Sequence, residues 1–585
     1  VQTGVYPAEF GRAATQINVS TKPGGNDYHG TLFHFLRNDK LDAKNYAFTS
    51  ARPKKDPFKW NQFGFTFGGP VTIPKIFNGK NKLFFMSNYE WFRQRRQVQA
   101  VSNLPSAAMR DGDFSALPKG TQGIYDPQTR VNNGGTVTAS LFPGNIIPKN
   151  RFAPVSVKLL EFYPVPNLPR ADLNSNYVQS QGRPINRDQF VGRMDFVESS
   201  NSQWTGRYSW GDENQLTESL KLNGAAILSN FNQYMGSNTR VLSPTVVTET
   251  RFGFTQYNTG PQLAFNRDVV GELKIPGLAS GPPVQWGIPS ISLSGYTGFG
   301  NDSEGPYENN NNSLQFLNNT TILRGKHTFK FGGEIRRDAY NQVGNQFARG
   351  QFSFQRNATV NPAQPATTGE TFAEYLLGET YQSEAAVAIA RAQYRARSFA
   401  LYVDDTWKIS PKVTINVGLR YEMTPPWEDQ TGRLFNGIVR QDIRAANVQD
   451  KSIYPYFERQ GPASNDPYAG IPNFRWPEIE VRQDGRFGDA LVGTDKNDFA
   501  PRLGITWAPT SKWVVRTGAG YFYSQDTGNP RFDMSRNLAG RLRFNSNTVT
   551  PNLNWDNSLA SISGSVANVT TPYTFANPPD RRTPY

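Results

Sequence analysis

The residues best suited to chemistry are few, and their spacing argues against most of it. The chain carries three histidines, His29, His34 and His327, and no cysteine. The lack of cysteine removes disulfides, zinc–thiolate sites and cysteine nucleophiles together. His29 and His34 stand five apart in a stretch that reads as a strand, so they point to opposite faces, and no carboxylate cluster is at hand to complete a metal site. Asp404 and Asp405 are adjacent, so their side chains diverge and cannot flank a bond as a glycosidase pair does. No G-x-S-x-G, Walker loop or H-E-x-x-H occurs, and Gly518 and Gly520 read as small strand residues, not as a dinucleotide loop. No catalytic residue, metal site or cofactor is expected. The remaining chemistry is recognition by alternating charges: Lys330, Glu334 and Arg336 in one segment, Asn416, Arg420 and Glu422 in another, and Arg502 in a third. These seven are the candidate ligand contacts, although solvation of a polar lumen is the simpler use for them.

The elements that position these charges are strands. In residues 413–422, Val413, Ile415, Val417, Leu419 and Tyr421 take every second place, and Thr414, Asn416, Gly418, Arg420 and Glu422 take the others. Strict alternation predicts a strand with one apolar and one polar face. Residues 313–338 read as a hairpin turning at Arg324-Gly325-Lys326, with Phe329, Phe331 and Ile335 on one face of its second arm. Similar segments recur at 61–71, 83–92, 188–210, 245–257, 397–410 and 499–524. Short turns alternate with long connections, a meander whose two longest irregular stretches are 93–187 and 428–498. The one convincing helical pattern is 150–163, and the asparagine tract at 308–313 reads as a polar loop.

Which face is inside depends on the solvent. No apolar run approaches the ~18 residues of a membrane helix, and mean hydropathy is −0.58, which excludes a helical membrane protein. A membrane barrel remains compatible, because its lumen-facing half is polar. The best segments reach the ~9–11 residues of a membrane strand, and a basic residue at the bilayer midplane costs about 2–4 kcal/mol. Val413, Ile415, Val417, Leu419, Tyr421, Phe329, Phe331 and Ile335 are therefore expected to face lipid, with the charges inward. The net charge of +14 is spread along the chain without a basic block, so no nucleic-acid partner is expected.

Ten motifs in order carry a resemblance. They begin with "EFGRAATQINVSTKPGGNDYHGTLFHFLRNDKLDAKNY" (9–46), "NQFGFTFGGPV" (61–71) and "MRDGDFS" (109–115). "FPGNIIPKNRF" (142–152), "LLEFYPVPN" (159–167), "GIPSISLSGYTGFG" (287–300) and "GKHTFKFGGEIRR" (325–337) follow. "YVDDTWKISPKVTINVGLRYE" (402–422), "DKNDFAPRLGITW" (495–507) and "PDRRTPY" (579–585) complete the series. Together the chain resembles TonB-dependent outer-membrane transporters, in particular the Oar-like branch with a carboxypeptidase-regulatory-like domain.

The resemblance implies an all-β fold: a large antiparallel transmembrane barrel of about 22 strands with a plugged lumen and long extracellular loops. Residues 1–27 would be the tail of the plug and 28–585 the barrel. Val1 opens no signal peptide and "FANPPDRRTPY" does not alternate, so the barrel is expected to be incomplete at both ends. The implied place is the cell outer membrane, and the implied partners are its lipid, a TonB-type energy-transducing protein and an unidentified extracellular ligand. Two other readings stay open at this point: a surface barrel with an adhesive or structural role, and a secreted β-rich glycan-binding protein.

Overall fold

The alternating segments build one antiparallel ladder. In chain order its strands are β1 (His29–Asn38), β2 (Phe58–Pro70), β3 (Leu83–Ser102), β4 (Ile185–Ser199), β5 (Ser202–Thr217), β6 (Ala225–Ser243) and β7 (Val246–Leu263). They continue as β8 (Tyr307–Arg324), β9 (His327–Gly344), β10 (Arg391–Ser410), β11 (Val413–Met423), β12 (Asp498–Thr510) and β13 (Trp513–Gly520). Each of these thirteen strands pairs with the one before it, a meander whose edges are β1 and β13 among the described residues, and two short strands, Tyr177–Gly182 on β3 and Glu428–Asp429 on β10, complete a sheet of 15. The computed structural model describes residues 2–3, 7–11, 15–16, 19–43, 55–117, 121–169, 174–217, 220, 224–263, 267–278, 281–344, 346–386, 389–438, 456–461, 481–524, 533–535, 541–559 and 582–583.

The hairpins close at one end and open at the other. Two-residue turns join β4 to β5, β6 to β7, β8 to β9, β10 to β11 and β12 to β13. Gly325, first in the β8–β9 turn, has φ +59°, the left-handed geometry that such a tight hairpin requires. The long connections 103–184, 264–306, 345–390 and 424–497 all leave the opposite end.

Several sequence expectations need correction. β3 and β10 run for 20 residues each, about twice the length needed to cross a bilayer, so the strands continue beyond any apolar band. β3 therefore occupies the start of the stretch 93–187 that reads as irregular. The asparagine tract is also strand: residues 308–313 lie within β8. Asparagine disfavours strands locally, but here ladder partners on both sides override that preference, with Asn310 opposite Asn258 of β7 and Asn341 of β9.

The long connections are also less irregular than they read. Helix Pro154–Leu159 and the following turn Leu160–Phe162 fall inside the predicted 150–163 segment. A second helix, Thr371–Leu377, carries no clear periodic signal in the sequence. Short strands Ser290–Leu293, Gln351–Phe354, Gln382–Ala386 and Arg541–Asn545 join into a four-stranded sheet. These pieces bury one apolar core containing Phe114, Phe162, Phe352, Phe372, Tyr375 and Trp555. The Phe352 and Trp555 rings lie 4.6 Å apart although two hundred residues separate them in the chain. A folded cap thus sits at the loop end of the ladder. Within 424–497 the strands are short pieces, Glu428–Asp429, Phe435–Ile438, Tyr456–Arg459 and Val481–Arg482, and residues 439–455 and 462–480 lie outside the described residues. The same holds for most of the motif at 579–585.

Because the cap has its own core, it should fail separately from the ladder. Phe372→Ala is expected to destabilise the cap by about 3–5 kcal/mol. Limited proteolysis of the full-length protein should then cut within 103–184 and 345–390, while the barrel still shifts on boiling in a gel.

Candidate functional site

Residues 7–11 lie against one face of the ladder, which defines its inner side. Three cations hold them. Arg502 Nη1 donates to the carbonyls of Pro7 and Phe10, both at 2.6 Å. Arg420 Nη1 donates to the carbonyls of Ala8 and Glu9, both at 3.3 Å. Lys330 pairs with the Glu9 carboxylate. The segment fits because β11 has a gap in its inner row: a Cβ on Gly418 would run into the Asp404 carboxylate and lie 3.0 Å from the Ala8 methyl. Alternation on β11 therefore presents Asn416, an empty place and Arg420 to the lumen, and the Asp404 carboxylate and Ala8 fill the empty place together.

Further groups keep these cations in position. Glu422 and Glu334 both pair with Arg420, which is only 2% exposed. Gln315 donates to Glu334 at 2.9 Å. Such burial of an arginine is tolerable only with this degree of pairing. Sequence reasoning missed four contributors: Glu9, Asn319, Tyr402 and Asp404. Asp404 accepts from the Glu9 amide at 3.2 Å, and Asn319 donates to the Glu9 carboxylate at 3.2 Å. Tyr402 in turn donates to Asn319 at 2.7 Å. Asp404 had a legible signal, since it shares the inward parity of Lys330, its direct partner across β9 and β10. A second anchor lies further along, where Arg193 donates to the Thr21 carbonyl at 2.6 Å and is held by Asp195.

The structure thus brings together five of the seven candidate contacts, Lys330, Glu334, Arg420, Glu422 and Arg502, around residues 7–10. It leaves two aside: Asn416 accepts from Thr406 at 2.8 Å, and Arg336 donates to Asp338 at 2.9 Å. Val413, Ile415, Val417, Leu419, Tyr421, Phe329, Phe331 and Ile335 all lie on the opposite, outer face, where Val417 is 53% and Ile335 63% exposed. Asp405 also points outward, away from Asp404, and bonds His327 Nδ1 at 2.7 Å beside the Trp407 ring. His34 faces outward too, bonded to Asn61, and His29 does not. Among the described residues no group of His, Asp and Glu is arranged to hold a metal.

The cap has buried charges of its own. Both oxygens of Glu374 accept main-chain amides, from Gln355 and Ala358, each at 2.8 Å. Arg130 donates to the carbonyls of Val549, Asn357 and Ala358 at 2.6–3.0 Å, and Arg151 forks onto Asp126 at 2.7 Å. Glu379 sits near these arginines without a salt bridge to either among the described residues. Burial pushes its carboxyl up to about 7, against the pull of Arg130 and Arg151. Burial also raises Glu370 and Glu374.

An inner face that carries charges, an outer face that is apolar and exposed, and short turns at one end only define the wall of an outer-membrane type of barrel. The chain belongs to the outer membrane beta barrel domain family, whose model matches residues 20–585, and its place is the cell outer membrane. The secreted glycan-binding reading ends there. No curated protein sequence matches the chain. Among solved structures it is similar to the outer membrane transporter YddB from Escherichia coli (9% identity, 92% of this chain, 49% of that one, TM-score 0.45). It is also similar to the ferric enterobactin receptor PfeA from Pseudomonas aeruginosa (10% identity, 91% and 50% covered, TM-score 0.39). A third is the siderophore receptor PirA from Acinetobacter baumannii (9% identity, 86% and 44% covered, TM-score 0.38). The chain spans about half the length of these proteins.

Two outcomes follow from this geometry. Arg502→Ala removes two charge-assisted hydrogen bonds worth about 1.5–3 kcal/mol each, so amide exchange in residues 8–11 should rise at least about tenfold. Asn416→Ala, on the same face but out of contact, should leave that exchange unchanged. For Glu379 the folded carboxyl binds its proton more tightly than the unfolded one. The cap therefore loses stability as pH rises from about 4.5 to 7, by on the order of 1–3 kcal/mol. Glu379→Gln should flatten that part of the pH profile of cap proteolysis; an unchanged profile would show that Glu379 is not its source.

Proposed function

We propose that the chain is the barrel wall of a TonB-dependent type of outer-membrane transporter. In this reading ligand binds from outside above a plug, and a TonB-type partner in the inner membrane pulls the plug to open a path, with no covalent chemistry. One observation carries the reading: residues 7–10 are held inside the wall through main-chain carbonyls and one glutamate, not through an apolar core. A seat made of hydrogen bonds and ion pairs suits a segment that has to leave, because water in an opened lumen replaces the lost partners. The motif series quoted above supports the same assignment.

On this proposal residues 1–27 are the tail of the plug and 28–585 belong to a barrel of about 22 strands. Lys330, Glu334, Arg420, Glu422 and Arg502 seat the plug, while Asn416 and Arg336 are left to meet ligand. Val413, Ile415, Val417, Leu419, Tyr421, Phe329, Phe331 and Ile335 meet lipid. The ligand is a metal chelate, an oligosaccharide or a peptide. A second reading, an adhesive surface barrel, is favoured by the cap, which is a folded body with its own core at the loop end.

Uptake separates the two. Cells that express the full gene, with and without their TonB-type energiser, are given a labelled ferric catecholate, a maltodextrin and an oligopeptide. Transport predicts that one of them accumulates only when gene and energiser are both present. Bilayer conductance of the purified protein should also rise when Arg420 and Arg502 are both changed to alanine. Binding of cells to surfaces that depends on the gene, with no energised uptake and no change in conductance, would leave the adhesive reading.

A further inference from the structure

Inside the wall, a cavity of about 350 Å³ lies where the N-terminal segment meets β1–β4, a volume within the ~300–1,000 Å³ of small-molecule sites. The wall supplies His29, Thr31, Thr66 and Asn88, and residues 21–25 close the other side with Thr21 and Lys22 among them. Strand parity puts the wall residues on the inner face. His34 points outward, so His29 and Thr31 do not, and Thr66 and Asn88 follow Thr31 across β2 and β3. A Cβ on Gly24 would strike the Phe85 carbonyl of β3, so the segment runs tight against the wall there, while Gly25 faces open space.

The lining is one-sided in charge. Lys22 is a cation, His29 offers a ring N–H, and no carboxylate lines the cavity. Among the described residues Lys22, His29 and the hydroxyls of Thr31 and Thr66 make no hydrogen bond or ion pair. Arg193 shares a register row with His29 and Met86 and fixes Thr21, donating from Nη1 to its carbonyl at 2.6 Å and its hydroxyl at 3.1 Å. Arg207 lies directly across β4 and β5 from Arg193. It donates to Gln233 at 3.0 Å, its Nε is buried without an acceptor, and among the described residues it pairs with no carboxylate. Positive charge and free donors without a counter-charge make a place for an oxyanion.

We propose that this cavity binds the phosphate or carboxylate group of the transported ligand while the N-terminal segment is seated. The inference rests on the transport reading above and narrows its ligand to one that bears an oxyanion. Such a group accepts from an ammonium, an imidazole and two hydroxyls at once, whereas a neutral ligand would leave Lys22 uncompensated. The site is built from both the segment and the wall, so pulling the segment away takes Lys22 and Thr21 from the anion. The movement that opens the path therefore weakens the grip, and the ligand is released as its way is cleared.

The test is isothermal titration of the full-length protein, extracted from outer membranes in detergent. The probes are glucose 6-phosphate, gluconate and glucose, with inorganic phosphate alongside. Both organic anions should bind at least about tenfold more tightly than glucose. K22Q/H29Q should lose that preference while the protein still shifts on boiling. Thr66→Val, which keeps the shape and loses one donor, should weaken both anions severalfold. Equal affinity for glucose, unchanged binding by K22Q/H29Q, or binding of inorganic phosphate without either organic anion would each overturn the proposal. Energised uptake without anion binding refutes this inference alone. Anion binding without energised uptake of any ligand overturns the transport reading, and the release step with it.

Discussion

In a bilayer, every main-chain N–H and C=O has to find its partner inside the protein, because hydrocarbon offers none. An antiparallel ladder meets that demand strand by strand, and the rest of this structure depends on it. Thirteen strands pair in chain order, each hydrogen-bonded to its neighbour in sequence. Once the ladder exists, the two-residue period of a strand sends alternate side chains to different solvents. The exposed outer row of β11 and its buried inner Arg420 are two consequences of that one constraint. A slip of one residue would put Arg420 into lipid and Val417 into the lumen, so the register is held from both faces.

The inner face faces a second problem, which is how to keep charges away from bulk water. Three cations and four carboxylates converge around residues 7–10, and each finds opposite charge or a main-chain group. That network couples the N-terminal segment to β9, β10, β11 and β12 at once. It is strong in sum yet built of polar contacts that water can replace.

The loop end follows different rules. There the backbone returns to water, strands lose their apolar outer rows, and asparagine, glutamine and arginine take over the outer face of β6–β10. Beyond the strands, many of the connections pack on one another around Phe372, Tyr375 and Trp555, while Leu434, Leu491 and Met534 pack on Ala392 and Tyr394 of β10. The cap is thus a soluble core carried on a membrane wall. Its buried carboxylates, Glu370, Glu374 and Glu379, are typical of a low-dielectric interior of that kind, where burial favours the neutral acid.

The sequence by itself determined what is local and periodic. Alternation at 413–422 and 329–335 was enough to assign the faces of β9 and β11, and the Arg-Gly-Lys turn marked a hairpin, because strand parity and turn geometry depend only on neighbouring residues. It also placed five residues of the inner charge network on the correct face. Only the tertiary structure decided what those charges touch: Gly418 reads as one more glycine until the Asp404 carboxylate and Ala8, the latter about four hundred residues away, are found in its place. Likewise the asparagine tract looks like loop until Asn258 and Asn341 flank it, and Phe352 and Trp555 carry no hint that they share a core. Contacts between residues so distant in the chain leave no period in the sequence. They exist only once the ladder has brought its loops to one end and its charges to one side.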